Sequence, residues 1–239
     1  MKKSFIAFAC ACIAFSASAQ RASDAAFASE ALKDYNRIGV SYNNEHYGFN
    51  KDMEDELDFD GVGLNGFGID YIHGFHLSST LPLFLETGIN FNYNFGSKSE
   101  SYYDEEYTFK LQDMNFQVPV NLGWRFGLTE EASITPYVGL NFKLHMISRF
   151  KEEYKEDGEV EKTDWTNLFS DDKDEMGDKD ATWNRFQMGW HVGVGFQYSP
   201  LYVGVQYGTD FIKAYSHDYD GFKPSVNTGN LKVTVAYTF

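Results

Sequence analysis

Leu83-Phe-Leu-Glu-Thr-Gly-Ile-Asn-Phe-Asn-Tyr-Asn-Phe95 is the stretch on which the fold turns. Its odd positions carry Leu83, Leu85, Thr87, Ile89, Phe91, Tyr93 and Phe95; after Phe84, its even positions carry Glu86, Gly88, Asn90, Asn92 and Asn94. Side chains of a strand alternate between faces, so one face is greasy and aromatic and the other small or amide-bearing. A strand this long, in a pattern that recurs along the chain, predicts an apolar face turned to lipid.

Eight alternating segments are expected, at 36–47, 62–75, 83–95, 107–126, 134–149, 184–198, 201–212 and 229–239. Connectors after the odd segments (48–61, 96–106, 150–183, 213–228) are long and polar. Those after the even ones (76–82, 127–133, 199–200) are short and carry turn residues such as Pro82, Gly127 and Pro200. The outward set includes Ile38, Val40, Tyr42, Phe67, Ile69, Tyr71, Val118, Leu122, Val138, Leu140, Trp190, Val192, Val203 and Val205, while glycines gather on the opposite parity. A soluble barrel with its apolar face inward needs a Lys- and Glu-rich exterior; here the second face is Gly, Asn, Gln and Tyr. The expectation is all-β: an eight-stranded antiparallel up-and-down transmembrane β-barrel with long acidic extracellular loops and short periplasmic turns. Both termini would be periplasmic.

Charge supports that division. Residues 51–60, 97–106 and 151–184 have net charges of −5, −3 and −8, against −15 for the whole chain. Wet loops joined by strands in a charge-rejecting medium produce this segregation. So acidic a surface excludes nucleic acid as a partner.

Residues 1–19 read as a signal peptide: Lys2 and Lys3, an apolar run from Ser4 to Phe15, then Ala17-Ser18-Ala19 before Gln20. Losing the two signal lysines takes the net charge from −15 to −17. Cys10 and Cys12 lie inside the apolar run, too early for a lipoprotein box, and leave the mature chain without cysteine. Residues 20–35 form an expected periplasmic lead-in and 36–239 the outer-membrane barrel domain. A short loop helix within 164–176 is a weaker expectation.

Phe116-Gln-Val-Pro-Val-Asn-Leu-Gly-Trp-Arg-Phe126, a short turn, then Ile134-Thr-Pro-Tyr-Val-Gly-Leu140 resembles the PorT-like outer-membrane β-barrel family of Gram-negative bacteria. Gly193-Val-Gly-Phe-Gln-Tyr198 and Val235-Ala-Tyr-Thr-Phe239 are similar to its last strands. The resemblance implies fold and an outer-membrane location; it carries over no catalytic residues. Pro119, in mid-strand, predicts a bulge or weak pairing. Val235, Tyr237 and Phe239 form an expected assembly signal, an amphipathic last strand ending in an aromatic.

Parity turns Arg37, Asp70, Glu86, Arg125, Lys143, His145, His191, Asp210 and Lys232 inward, as a structural lumenal polar network. The sharper alternative is a lipid-modifying barrel enzyme using His145 or His191 with an acid such as Asp210. Asp171–Asp180 resembles a calcium loop, but EF-loop positions five and twelve fall on Met176 and Trp183, so the ligand pattern fails. Tyr102, Tyr103, Tyr107, Trp165, Phe169 and Trp183 could form a recognition surface on the loops, or pack their bases. The expected function is a non-enzymatic outer-membrane anchor displaying acidic loops, without catalytic site, metal or cofactor. An accessory subunit of a secretion or envelope complex is the other alternative. Expected partners are outer-membrane lipid and lipopolysaccharide, the barrel-assembly machinery during insertion, and an envelope or secretion protein.

Overall fold

The computed structural model describes residues 33–57, 60–102, 105–156, 159–169, 183–216 and 223–239. The signal peptide, residues 20–32 of the lead-in, Tyr103, the acidic run Asp171–Asp180 and most of the weak loop helix lie outside the described residues.

Eight long strands form the barrel: β1 (Tyr35–Phe49), β2 (Gly61–His76), β3 (Leu83–Tyr102), β4 (Glu105–Trp124), β5 (Ala132–Glu156), β6 (Phe186–Tyr198), β7 (Leu201–Asp210) and β8 (Ser225–Thr238). Each pairs antiparallel with the next, and β1 pairs with β8 through rungs such as Val40↔Val235 and Tyr42↔Val233. The ring is closed, which removes the free strand edges that lipid cannot satisfy.

Alternation sets the two faces. Val40, Phe67, Ile69, Val138 and Val235 point outward and are more than half exposed or close to it, while Asn43, Asn92, Asn94, Gln117 and Asn121 are buried inside. This inverts a soluble core: water would be excluded from the amide-bearing side and offered the greasy one. Only an apolar surrounding medium makes that arrangement favourable. Large inward rings require small neighbours, and the Tyr137 and Tyr202 rings lie against Gly193 and Gly195, where a Cβ would collide with them.

Two local departures from the sequence reading have physical causes. The segment 96–106 is not a wet loop: β3 and β4 continue as a paired ladder as far as Tyr102↔Glu105. Likewise β5 runs to Glu156, and the chain returns along it as Glu159–Lys162. Beyond the lipid both faces of a sheet may be polar, so charge there does not oppose strand formation. Within 48–61 the chain instead forms a helix, α1 (Lys51–Leu57), whose Met53 amide donates to Asn50 Oδ1 (3.3 Å) and whose first turn carries Asp52 and Glu54. An asparagine cap with acids in the first turn offsets the helix's unpaired amides and its dipole.

At Pro119 the structure shows the weak pairing expected of a mid-strand proline. The β3–β4 ladder passes from Thr87↔Val120 to Asn90↔Gln117, skipping the rungs opposite Val118 and Pro119, as a missing amide donor dictates. On the other side Pro119↔Asn141 stays in register, and the bulge lies elsewhere. Met114 pairs with Ile147 but Asn115 with His145, leaving Met146 as the extra residue. Met146 and Ile147 are therefore both outward, and Ser148 is buried. Above this bulge the parity of β5 is reversed.

Candidate functional site

The lumen contains the buried charges. At the short-turn end Glu86 accepts from the Tyr35 hydroxyl, from Arg37 Nη2 (3.3 Å) and from Asn121 Nδ2 (3.2 Å). The Arg37 guanidinium lies 3.7 Å from the Tyr202 ring centre, and Arg125 lies over Phe84 (4.2 Å) and Tyr35 (4.5 Å). Above them Lys232 Nζ meets Asp70 Oδ1 at 2.5 Å. The Asn90 amide fits between these two, its oxygen toward Lys232 Nζ (2.7 Å) and its nitrogen toward Asp70 Oδ1 (3.2 Å).

Toward the long-loop end Lys143 Nζ bridges Glu45 Oε1 (2.5 Å) and Asp210 Oδ2 (2.8 Å). Asn94 donates to Glu45 Oε2 (2.8 Å), and the Thr228 hydroxyl donates to Asp210. Asp113 Oδ1 pairs with His145 Nδ1 at 2.5 Å. An amide relay crosses the lumen to the same acid: Asn43 donates to Asn92, Asn92 to Asn115 and Asn115 to Asp113, at 2.9, 3.0 and 2.5 Å. The asparagines of the Leu83–Phe95 stretch thus hold the polar interior together.

All nine residues assigned inward by parity line this interior, but the pairings were not legible. His145 meets Asp113, His191 Nε2 meets Asn121 Oδ1 (2.5 Å), and neither histidine hydrogen-bonds Asp210, whose cation is Lys143. Glu45 and Asp113, both fully buried, share the inward parity of that set and belong to the same interior. With them the interior holds Arg37, Arg125, Lys143 and Lys232 against five carboxylates. A proton on His145 would even that balance, which suits a site remote from water.

The lumen is blocked. Tyr47, Leu64, Ala214 and Val226 form a buried apolar plug at the long-loop end, packed by Trp183, Met53 and Leu111. Phe169 is buried too, its ring centre 6.2 Å from that of His145. Phe169 and Trp183 therefore pack the loop base instead of an exposed recognition surface, whereas Tyr107 is exposed and packs against Tyr154, ring centres 4.6 Å apart and tilted. Among the described residues the cavities between the charged clusters measure about 10 and 30 Å³, space for single waters. Among the described residues no group of three or more acids, histidines or cysteines is placed to hold a metal.

Above the bulge the second candidate surface begins. The lipid face of β4 and β5 continues past Met114↔Ile147 through the rungs Gln112↔Arg149, Lys110↔Lys151, Thr108↔Glu153 and Glu106↔Lys155. The returning strand adds Lys162 opposite Glu153. On these rungs five cations face two acids, in a chain of net charge −15. The other face of the same sheet carries Glu152, Glu159 and Glu161 with Tyr107, Phe109 and Tyr154. Glu153 sits among three lysines: Lys110 at 2.8 Å, Lys151 and Lys162 at 3.7 Å. The Lys110 hydrogen bond, helped by the neighbouring lysine charges, holds its carboxyl below the usual carboxylate value. The Arg149 guanidinium donates twice to Gln112 Oε1 (3.0 and 2.9 Å) and lies 4.8 Å from the Trp165 ring.

A closed antiparallel ring with an apolar exterior, a paired polar interior and strands that rise past the apolar belt defines a transmembrane β-barrel. The chain belongs to the outer membrane protein beta-barrel domain family, which matches residues 7–239, and it is a small bacterial outer-membrane barrel. Among solved structures it is similar to Ail, the attachment invasion locus protein of Yersinia pestis (13% identity, 87% of this chain and 100% of that chain, TM-score 0.34). It is also similar to Neisserial surface protein A (13%, 86% and 97%, TM-score 0.35) and to the translocator domain of the autotransporter NalP from Neisseria meningitidis (11%, 86% and 88%, TM-score 0.36). None of the curated proteins matches the chain.

Proposed function

We propose that the protein is a non-enzymatic outer-membrane anchor that displays a β-sheet extension on the cell surface, with its short turns and both termini in the periplasm. The observation that carries this reading is the committed interior. Among the described residues its carboxylates are paired with cations or His145, a hydrophobic plug closes one end, and the cavities between the charged clusters measure only about 10 and 30 Å³. The hydrogen-bond partners of the two histidines are Asp113 and Asn121, so neither histidine is bonded to a hydroxyl or thiol that it could activate as a nucleophile. Among the described residues the barrel leaves accessible the extension of β3, β4, β5 and Glu159–Lys162.

The test is twofold. Replacing the upper extension with short turns should leave heat-modifiable gel migration and outer-membrane fractionation intact. Cells with and without the protein should show the same lipid A acyl pattern by mass spectrometry. A changed acyl pattern that disappears in His145→Ala or His191→Ala overturns the anchor reading in favour of a lipid-modifying enzyme.

The PorT-like resemblance supports a second reading, an accessory subunit of a secretion or envelope complex. Leu77, Leu81 and Leu128 stand exposed on the short turns, where a periplasmic partner would contact them. Cross-linking from these turns should capture such a partner even after the extension is removed; loss of capture with the extension argues against contact through the turns.

A further inference from the structure

Strand pairing, and not composition, creates the basic face of the extension. It lies on the rungs immediately beyond the apolar belt, continuous with the lipid-facing side of β4 and β5. Arg149 is the first charged residue above Ile147 on that face, followed by Lys110 and Lys151, then Lys155 and Lys162. Beside them a groove of about 400 Å³ is lined by Asn65, Phe95, Ser97, Lys110, Gln112 and Trp165. The adjoining rungs of β3 carry only Ser97, Ser99 and Ser101, which leave room over the lysines. Apolar Phe95 at the lower rim, an aromatic beside the groove and cations above it match the order of chemistry across a lipid interface: acyl chain, then interfacial region, then phosphorylated headgroup.

We infer that this face is a binding site for the phosphates of an outer-leaflet glycolipid of the lipid A type. The inference rests on the outward orientation proposed above and deepens it by assigning a ligand class to one face of the extension. Three features select a membrane lipid. The site abuts the belt that lipid already covers, its charge opposes that of the chain as a whole, and its cations rise in successive rungs. Lys110, Arg149 and Lys151 contact the phosphate, Gln112 and Trp165 hold Arg149 in place, and Glu153 limits the net positive charge of the patch. Glu153 makes the site tunable, because its carboxylate is shared by Lys110, Lys151 and Lys162.

The experiment uses the full mature barrel refolded in uncharged detergent micelles, with bisphosphorylated lipid A and its dephosphorylated form as probes and retention read by native mass spectrometry. Each cation near an anionic lipid surface contributes about five-fold in binding, so Lys110→Gln/Arg149→Gln/Lys151→Gln should weaken phosphate-dependent retention on the order of a hundred-fold. Glu153→Gln should strengthen it about five-fold, a gain that a misfolded variant cannot give. Unchanged binding in the triple variant, equal retention of the dephosphorylated lipid, or no gain in Glu153→Gln overturns the inference. Equal affinity for a soluble heparin oligosaccharide overturns the commitment to lipid. Surface protease accessibility of the extension on intact cells is scored separately. A barrel inserted the other way up fails that test without altering the micelle result.

Discussion

Lys143 is the most exacting test of the packed lumen. Its ammonium is 2 % exposed and sits between Glu45 and Asp210 at 2.5 and 2.8 Å. At an effective dielectric near 20 each attraction is about 6 kcal/mol before the cost of desolvation, which is itself several kcal/mol per ion. Lys143→Met removes both attractions but leaves two carboxylates facing each other away from water. Loss of one partner from a buried pair costs about 3–5 kcal/mol, and two stranded acids place the expected loss at the upper end. Adding Glu45→Gln and Asp210→Asn removes the stranded charges, and the triple variant should recover most of the stability. Asn94 and Thr228 can still hydrogen-bond the new amides. The assay is reversible urea unfolding in lipid vesicles, followed by tryptophan fluorescence and heat-modifiable migration. A loss below about 1 kcal/mol for Lys143→Met would refute the reasoning, because it would mean that the interior is wet enough to screen the two acids as surface groups are screened.

Gly88→Val should abolish the folded band or cost more than about 3 kcal/mol, since a Cβ there collides with the backbone oxygen of Tyr71; Gly63→Ala, which meets nothing, should migrate as wild type. In planar bilayers the protein should give no porin-sized conductance steps, and steady stepwise current would contradict the plugged lumen. Phe239→Ala should slow barrel assembly while changing the unfolding free energy of the inserted protein by less than about 1 kcal/mol, because the side chain is exposed and its ladder bonds to Asn36 are made by the backbone. Equal slowing in an assembly-machinery-free detergent refolding assay would argue against its role as a recognition signal.

The period-two alternation of Leu83–Phe95 and its counterparts was enough to read eight strands, their order, the inward residues and the side that faces lipid. Parity is a purely local property of extended chain, so no neighbour need be known to use it. The same logic reached Arg37, Glu86, Lys143 and His145 and, applied fully, would have reached Glu45 and Asp113. Which acid meets which cation was not legible, because Lys143 and Glu45 are joined across the lumen by ring closure and not by sequence distance.

The extension shows where parity stops. Continued through β5 from His145, alternation turns Arg149, Lys151 and Glu153 inward. The extra residue at Met146 reverses them, and Gln112↔Arg149 and Lys110↔Lys151 become rungs of the outer face. A bulge is set by how two strands compensate their coiling, which no single strand encodes. The sequence alone therefore determined that this chain is a lipid-facing barrel with strongly acidic connectors. Only the tertiary structure sorted the charges within those connectors, placing a basic face directly above the membrane belt and an acidic, aromatic one behind it.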